Sequence, residues 1–171
     1  MSDNPLKDIL FERLNTHNAE RLISTHNYAE LIKYVIPYMM DKTHNVAPYE
    51  ESAVAISTGI LHYILTVSAT PSQRQVTYKD VDVDIVLPDI RQLNRDPSLA
   101  VIIQICPNCD VARHRLHNTT TIQPIQKNIW LLTPYDCYYH IFDGSPSFSD
   151  LLYDMIKFSR THNQNKLGLL G

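Results

Sequence analysis

The chain has 171 residues, is 44% hydrophobic and carries a formal charge of −3, which is typical of one globular domain with a real core. The slight acidic balance excludes a general attraction to nucleic acid, so any basic footprint has to be local. Three cysteines, an odd number, and a polar N-terminus argue against a secreted disulfide scaffold and predict a cytoplasmic protein. The most apolar stretch, residues 53–67, is shorter than a membrane span.

The first third of the chain is predicted to be helical. Apolar residues recur at helical spacing over residues 5–14, 19–24 and 28–41, and a longer, buried helix is predicted over 49–68. Pro37 lies inside the third of these segments, where a proline is expected to start, kink or break a helix.

From residue 75 the pattern changes to the alternation and the apolar runs of β-strands. Strands are predicted over residues 75–79, 81–87, 99–105, 119–122, 128–133 and 138–142, with helices over 110–117 and from about 147 to 160. This order predicts a mixed α/β (α+β) fold, in which helices flank a central mixed sheet of four or five strands.

No composition shift marks a linker, so residues 1–171 are expected to form a single domain. Within it, a helical N-terminal extension (1–47) precedes the α/β core (48–160) and a loose tail (161–171).

The predicted strand over residues 81–87 is unusual because carboxylates alternate with aliphatic side chains. Asp80, Asp82 and Asp84 would project from one face of an extended chain. Three carboxylates on one face repel each other unless water or a cation lies between them. The pattern is typical either of a solvated edge strand or of an oxygen-ligand site for a hard cation such as Mg²⁺ or Mn²⁺.

The apolar run over residues 99–105 predicts a central strand that is buried on both faces. Gln104 interrupts this run, and a buried glutamine needs hydrogen-bond partners or a ligand. The run ends at Cys106.

The order helix, acidic strand, buried strand, short helix, strand and helix resembles the PD-(D/E)XK, or restriction-endonuclease-like, nuclease superfamily over residues 48–135. In that superfamily one strand ends near a metal-binding Asp, the next carries an acid-x-Lys motif, and a preceding helix often supplies a Glu. Asp84, within Val-Asp-Ile-Val, is similar to the metal-binding Asp. Gln104 stands in the place of the acid, and Cys106 stands in the place of the lysine.

The resemblance implies a nucleic-acid-processing protein with a divergent nuclease-like site that uses Mg²⁺ or Mn²⁺ on DNA or RNA. Asp84 would be the principal cation ligand, Asp82, Asp89 or Glu51 would assist it, and Gln104 would be a neutral partner. A thiol cannot supply the positive charge that a lysine would give to the reaction. Whether the site is active is therefore left open, as are a non-catalytic binding or structural role and self-association into a homo-oligomer.

Cys106 and Cys109 form a Cys-x-x-Cys motif that indicates a different chemistry. Thiolates at a helix N-terminus have lowered pKa values, as in thiol-redox proteins. The same pair could bind Zn²⁺ together with His114 and His117, and Cys137 or His140 could replace one of these ligands. A third interpretation is that both thiols only pack at the end of a strand.

Arg113 and Arg115 lie in the most basic local cluster of the chain, just after the Cys-x-x-Cys motif. These side chains are predicted either to contact phosphate or to form a solvated helix face.

Overall fold

Helices precede a five-stranded sheet in the computed structural model of the chain, which describes residues 5–45, 47–135, 137, 139–140 and 146–167. The helices are α1 (Pro5–Leu14), α2 (His17–Ser24), α3 (Tyr28–Thr43), α4 (Tyr49–Val67), α5 (Ile90–Arg95), α6 (Cys109–Thr119) and α7 (Pro146–Leu167). The strands are β1 (Gln73–Tyr78), β2 (Val81–Leu87), β3 (Val101–Ile105), β4 (Ile129–Thr133) and β5 (Tyr139–His140). The predicted mixed α/β class is confirmed.

The sheet follows the order of the chain, β1-β2-β3-β4-β5. The pairs β1–β2 and β2–β3 are antiparallel, whereas β3–β4 and β4–β5 are parallel. Because parallel neighbours need a crossover connection, α6 joins β3 to β4. Strand β2 therefore lies beside β3, as the sequence predicts, with Ile85 opposite Ile103.

Two residues, Lys79 and Asp80, form the turn between β1 and β2. Both have positive φ values, 49° and 62°, as in the two-residue turns that suit the twist of a hairpin. Asp80 therefore belongs to the turn, and the expectation that three aspartates share one strand face is wrong.

The main hydrophobic core joins the N-terminal helices to the sheet. It contains Leu14 of α1, Leu31 of α3 and Ile60 of α4 together with Ile103 of β3 and Leu152 of α7, all fully buried. A smaller cluster, around Val86 and Ile102, covers the other face of the sheet. The helical first third is thus built into the same core as the sheet.

Helices α3 and α7 bear on two of the predictions. Pro37 lies within α3 without ending it, and the guanidinium of Arg13 donates to the nearby carbonyl of Tyr34 at 3.2 and 3.1 Å. The closing helix α7 continues past Arg160 to Leu167, so the segment expected to be a loose tail is helical as far as that residue.

The predicted strand over residues 119–122 is wrong, because Thr119 ends α6 and a turn follows it. The β-branched threonines indicated a strand, but their hydroxyl groups bind the end of the helix instead. Thr120 Oγ1 donates to the carbonyl of His117 at 2.6 Å, and Thr121 Oγ1 donates to that of Asn118 at 2.7 Å. Side chains of this type compete for backbone partners at helix ends.

Among the described residues, no helix combines the length and the apolar character needed to cross a membrane.

Candidate functional site

Asp84 and Gln104 form the centre of the candidate site. The register that pairs Ile85 with Ile103 places Asp84 opposite Gln104 on adjacent strands. Since side chains alternate along a strand, both residues share the sheet face that carries Val86. Helix α6 lies over this face and supplies the remaining side chains of the site.

The carboxylate of Asp84 is held by two donors. Its Oδ2 atom accepts from the backbone N–H of Ile105 at 2.7 Å and from Nη1 of Arg115 at 2.5 Å. The two charged side chains are only 29% and 33% exposed, so water screens this ion pair less than it screens a pair on the open surface. Arg115 thus provides the counter-charge for Asp84.

Gln104 is fully buried, and its amide group is fully used. Its Oε1 atom accepts from the backbone N–H of Asp84 at 3.3 Å and from Nη1 of Arg115 at 3.2 Å. Its Nε2 atom donates to the carbonyl of Asp82 at 2.8 Å and to Thr119 Oγ1 at 3.2 Å. The partners that the sequence required for a buried glutamine are therefore protein groups.

The side chains of two other predicted cation ligands form hydrogen bonds with groups outside this centre. The carboxylate of Asp82 is exposed and accepts from Thr77 Oγ1 on β1 at 2.6 Å. Asp89 caps α5, because its Oδ1 atom accepts from the backbone N–H of Gln92 at 2.8 Å. These two carboxylates have local structural roles at a strand edge and a helix end.

On α4, Glu51 is exposed, whereas its neighbour Glu50 makes the contacts to the rest of the fold. One carboxylate oxygen of Glu50 accepts from the Tyr135 hydroxyl at 2.7 Å, and the other accepts from Asn108 Nδ2 at 3.4 Å. The hydrogen bond between Tyr135 and Glu50 raises the pKa of the Tyr135 hydroxyl, with smaller contributions from burial and from the charge of Glu50. Glu51, the glutamate predicted to assist Asp84, is thus an exposed residue of α4, and the contacts of this part of the helix are made by Glu50.

The donors around Asp84 do not fit a divalent cation. Within the described ranges, no group of three or more His, Cys, Asp or Glu side chains could hold a metal ion. The Oδ2 atom of Asp84 and the Oε1 atom of Gln104 are both bound by the guanidinium of Arg115. A divalent cation on these two oxygens would have to displace that positive group.

The two cysteines of the Cys-x-x-Cys motif have different partners in the structure. Cys109 forms a disulfide with Cys137, 28 residues away, while Cys106 is a buried free thiol. Burial raises the pKa of the Cys106 thiol to about 11. The charge of Arg115 lowers this pKa and that of Asp84 raises it, both by less than burial does. In this structure Cys106 and Cys109 are thus not bonded to each other, and among the described residues they do not form a cluster of metal ligands with His114 and His117.

The physical reason is that the two cysteines belong to different elements. Cys106 follows β3 and lies in a small apolar cluster with Ala112 and Leu131, as expected for a packed thiol at a strand end. Cys109 begins α6 and is only half-buried. The predicted zinc ligands His114 and His117 are exposed on the same helix.

The two arginines predicted to contact phosphate have different surroundings. Arg113 is exposed and pairs with Asp110 at 3.1 Å, one turn earlier on α6. Arg115 points inward to Asp84 and Gln104. Sequence reasoning missed this inward role of Arg115 and the contribution of Thr119. The available signal was Asp84 itself, because a half-buried carboxylate needs a nearby cation.

No family model matches the chain, and no curated protein matches it. One solved structure is similar in outline: metal-depleted Ecl18kI in complex with uncleaved, modified DNA. The sequences are 15% identical and the TM-score is 0.44. The match covers 89% of this chain, but the chain spans only 59% of that structure's length.

Proposed function

We propose that this chain is a nuclease-like protein that binds nucleic acid without cleaving it. The observation that carries the proposal is the position of Arg115, whose guanidinium binds Asp84 Oδ2 and Gln104 Oε1, one oxygen from each of the two residues aligned with the superfamily's cation ligands. The resemblance over residues 48–135 is the reason for the comparison with nucleases, and the pairing of β2 with β3 agrees with it.

Electrostatics explains why the site should not hydrolyse phosphodiesters in this form. Asp84 and Arg115 neutralise each other, and Gln104 adds no charge. At an effective dielectric constant of 20, a guanidinium about 4 Å from a divalent cation repels it by roughly 8 kcal/mol, which offsets the attraction of a carboxylate at the same distance. The ion pair therefore offers a cation little net attraction. The buried thiol of Cys106 stays neutral near pH 7, so it cannot supply the positive charge of the superfamily's lysine.

The outer face of α6 is the surface that we assign to phosphate contacts. Arg113, His114 and His117 are exposed there, on the helix that also carries Arg115. Phosphate contacts from such side chains position a strand without reading its sequence. Because the whole chain carries a formal charge of −3, this binding should be local, weak and strongly dependent on salt.

The cytoplasmic location and the self-association predicted from the sequence stay predictions.

The first test is cleavage. Wild type and Asp84→Asn are incubated with single- and double-stranded DNA and RNA in the presence of Mg²⁺ or Mn²⁺. We expect the same background with both proteins, because Asp84 is engaged by Arg115. Cleavage by the wild type that disappears in Asp84→Asn would overturn the non-hydrolytic assignment.

The second test is binding, measured by fluorescence anisotropy of labelled oligonucleotides over a range of salt concentrations. Arg113→Gln should weaken binding to all sequences alike and reduce the slope of log affinity against log salt by about 1. Lys33→Gln is the matched control, since Lys33 is also exposed and pairs with an acid one turn away. Equal losses in the two variants, or no binding at low salt, would contradict the assigned surface.

A further inference from the structure

A second candidate site lies in a groove between α7 and the turn that joins α2 to α3. Its volume is about 400 Å³, which is within the range of small-molecule sites. We call it the α3–α7 groove. Its lining includes three basic side chains, those of His26, Lys157 and Arg160, and two tyrosines, Tyr28 and Tyr153.

The charges of the α3–α7 groove are all of one sign. No carboxylate is among its lining residues. Lys157 and Arg160 have no ion-pair partner in the part of the chain that the structure describes. Like charges held together on one helix repel each other. A bound anion would remove that repulsion.

The base of the groove is built from buried and hydrogen-bonded groups. Tyr28 is 4% exposed, and its hydroxyl forms a hydrogen bond of 3.0 Å with Nδ1 of His26. Burial raises the pKa of the Tyr28 hydroxyl, while the positive charge of Arg160 lowers it in part. Arg160 and Tyr28 thus line the same groove, with the basic side chain beside its buried base.

The turn that presents His26 is fixed by its neighbours. Thr25 ends α2, and the Oδ1 atom of Asn27 accepts from the backbone N–H of Glu30 and so caps α3. Between them His26 has a positive φ of 54°, a conformation in which histidine is several-fold enriched compared with most residues. The Thr25-His26-Asn27 turn thus orients a basic side chain at the groove.

The outer wall offers an aromatic surface. The side chain of Tyr153 on α7 lines the groove and is 68% exposed. An exposed ring of this size can bury apolar area against a partner. A planar ring can stack on such a face, and base–tyrosine stacking contributes about 1–3 kcal/mol.

We propose that the α3–α7 groove binds a phosphate monoester attached to a planar heteroaromatic ring, that is, a nucleotide-like ligand. Arg160 and Lys157 bind the phosphate, and Tyr153 stacks on the ring. The ligand is either a free mononucleotide or the 5′-phosphorylated end of a strand. The inference does not depend on the proposed role of the Asp84 site, because none of that site's residues lines this groove.

The experiment is isothermal titration of the full chain with three probes: adenosine 5′-monophosphate, adenosine and inorganic phosphate. The monophosphate should bind at least about tenfold more tightly than adenosine. Arg160→Gln should weaken binding of the monophosphate about tenfold. Tyr153→Leu should bring its affinity close to that of inorganic phosphate. Arg91→Gln, which removes an exposed arginine outside the groove, is the control and should change nothing.

A pair of short oligonucleotides, with and without a 5′-phosphate, distinguishes the two sources of the ligand. Binding that needs the 5′-phosphate and is weakened by Arg160→Gln supports the proposal with a strand end as ligand, even if the free nucleotide fails to bind. If neither ligand binds at about 5 mM, or if Arg91→Gln weakens binding as much as Arg160→Gln does, the proposal is overturned.

Discussion

The most direct prediction concerns the ion pair between Asp84 and Arg115. In this pair an arginine takes the position that a cation would have beside the carboxylate. Replacing Arg115 by Met keeps most of the aliphatic stem but removes the donor to Asp84 Oδ2 and Gln104 Oε1. Replacing Asp84 by Asn leaves an oxygen that can still accept from the N–H of Ile105. Each change therefore removes the ion pair by a different route.

The magnitude follows from the burial of the pair. Exposed ion pairs contribute about 0–1 kcal/mol, and breaking a buried pair costs about 3–5 kcal/mol. The two side chains are 29% and 33% exposed, so the result should lie between these limits. We expect Arg115→Met to lower the free energy of unfolding by about 2–3 kcal/mol and Asp84→Asn by about 2 kcal/mol. The double variant should cost about 1–2 kcal/mol less than the sum.

The assay is urea unfolding of the four proteins at pH 7 without reductant, with the m-values compared to check that the transitions are equivalent. Arg113→Met and Asp110→Asn form the control cycle on the same helix, because that pair is 70% and 88% exposed. The control cycle should be additive within about 0.5 kcal/mol. A coupling energy as small as this between Asp84 and Arg115 would refute the argument that Arg115 neutralises the site.

Three further predictions concern the rest of the region. Gln104→Met should cost about 3 kcal/mol in urea unfolding, because backbone groups of β2 lose buried partners; a cost under about 1 kcal/mol would contradict the network. Reducing the disulfide of Cys109 and Cys137 should lower the free energy of unfolding by about 3 kcal/mol, given their separation of 28 residues; dithiothreitol should leave a Cys109→Ser/Cys137→Ser variant unchanged. The pKa of the Cys106 thiol is about 11 in the folded protein against an ordinary 9.0. The stability linked to this protonated thiol is therefore fully present below pH 9. It is lost as the pH rises towards 11, because the unfolded chain loses the proton first. Wild type should therefore lose about 2 kcal/mol more than Cys106→Ala between about pH 8 and pH 11, and equal losses would contradict burial of the thiol.

The sequence by itself determined the class of fold and most of the elements. Helical periodicity gave α1 and α4 nearly to the residue, and the apolar run gave β3, because burial on both faces leaves a continuous signal in the chain. It also singled out two residues of the candidate site. Asp84 was indicated by the alternation of carboxylates along a strand and by the resemblance to the nuclease superfamily, and Gln104 by its place in an apolar run, because a buried amide needs partners.

Only the tertiary structure decided what those partners are. Arg115 is 31 residues from Asp84 along the chain, and Cys137 is 28 residues from Cys109. Local patterns cover only a few residues. They therefore paired Cys109 with the nearby Cys106 and predicted that Arg115 contacts phosphate or lies on a solvated helix face. The crossover of α6 over the sheet brings Arg115 to Asp84, because parallel pairing of β3 with β4 requires the connecting helix to lie over the sheet that it joins.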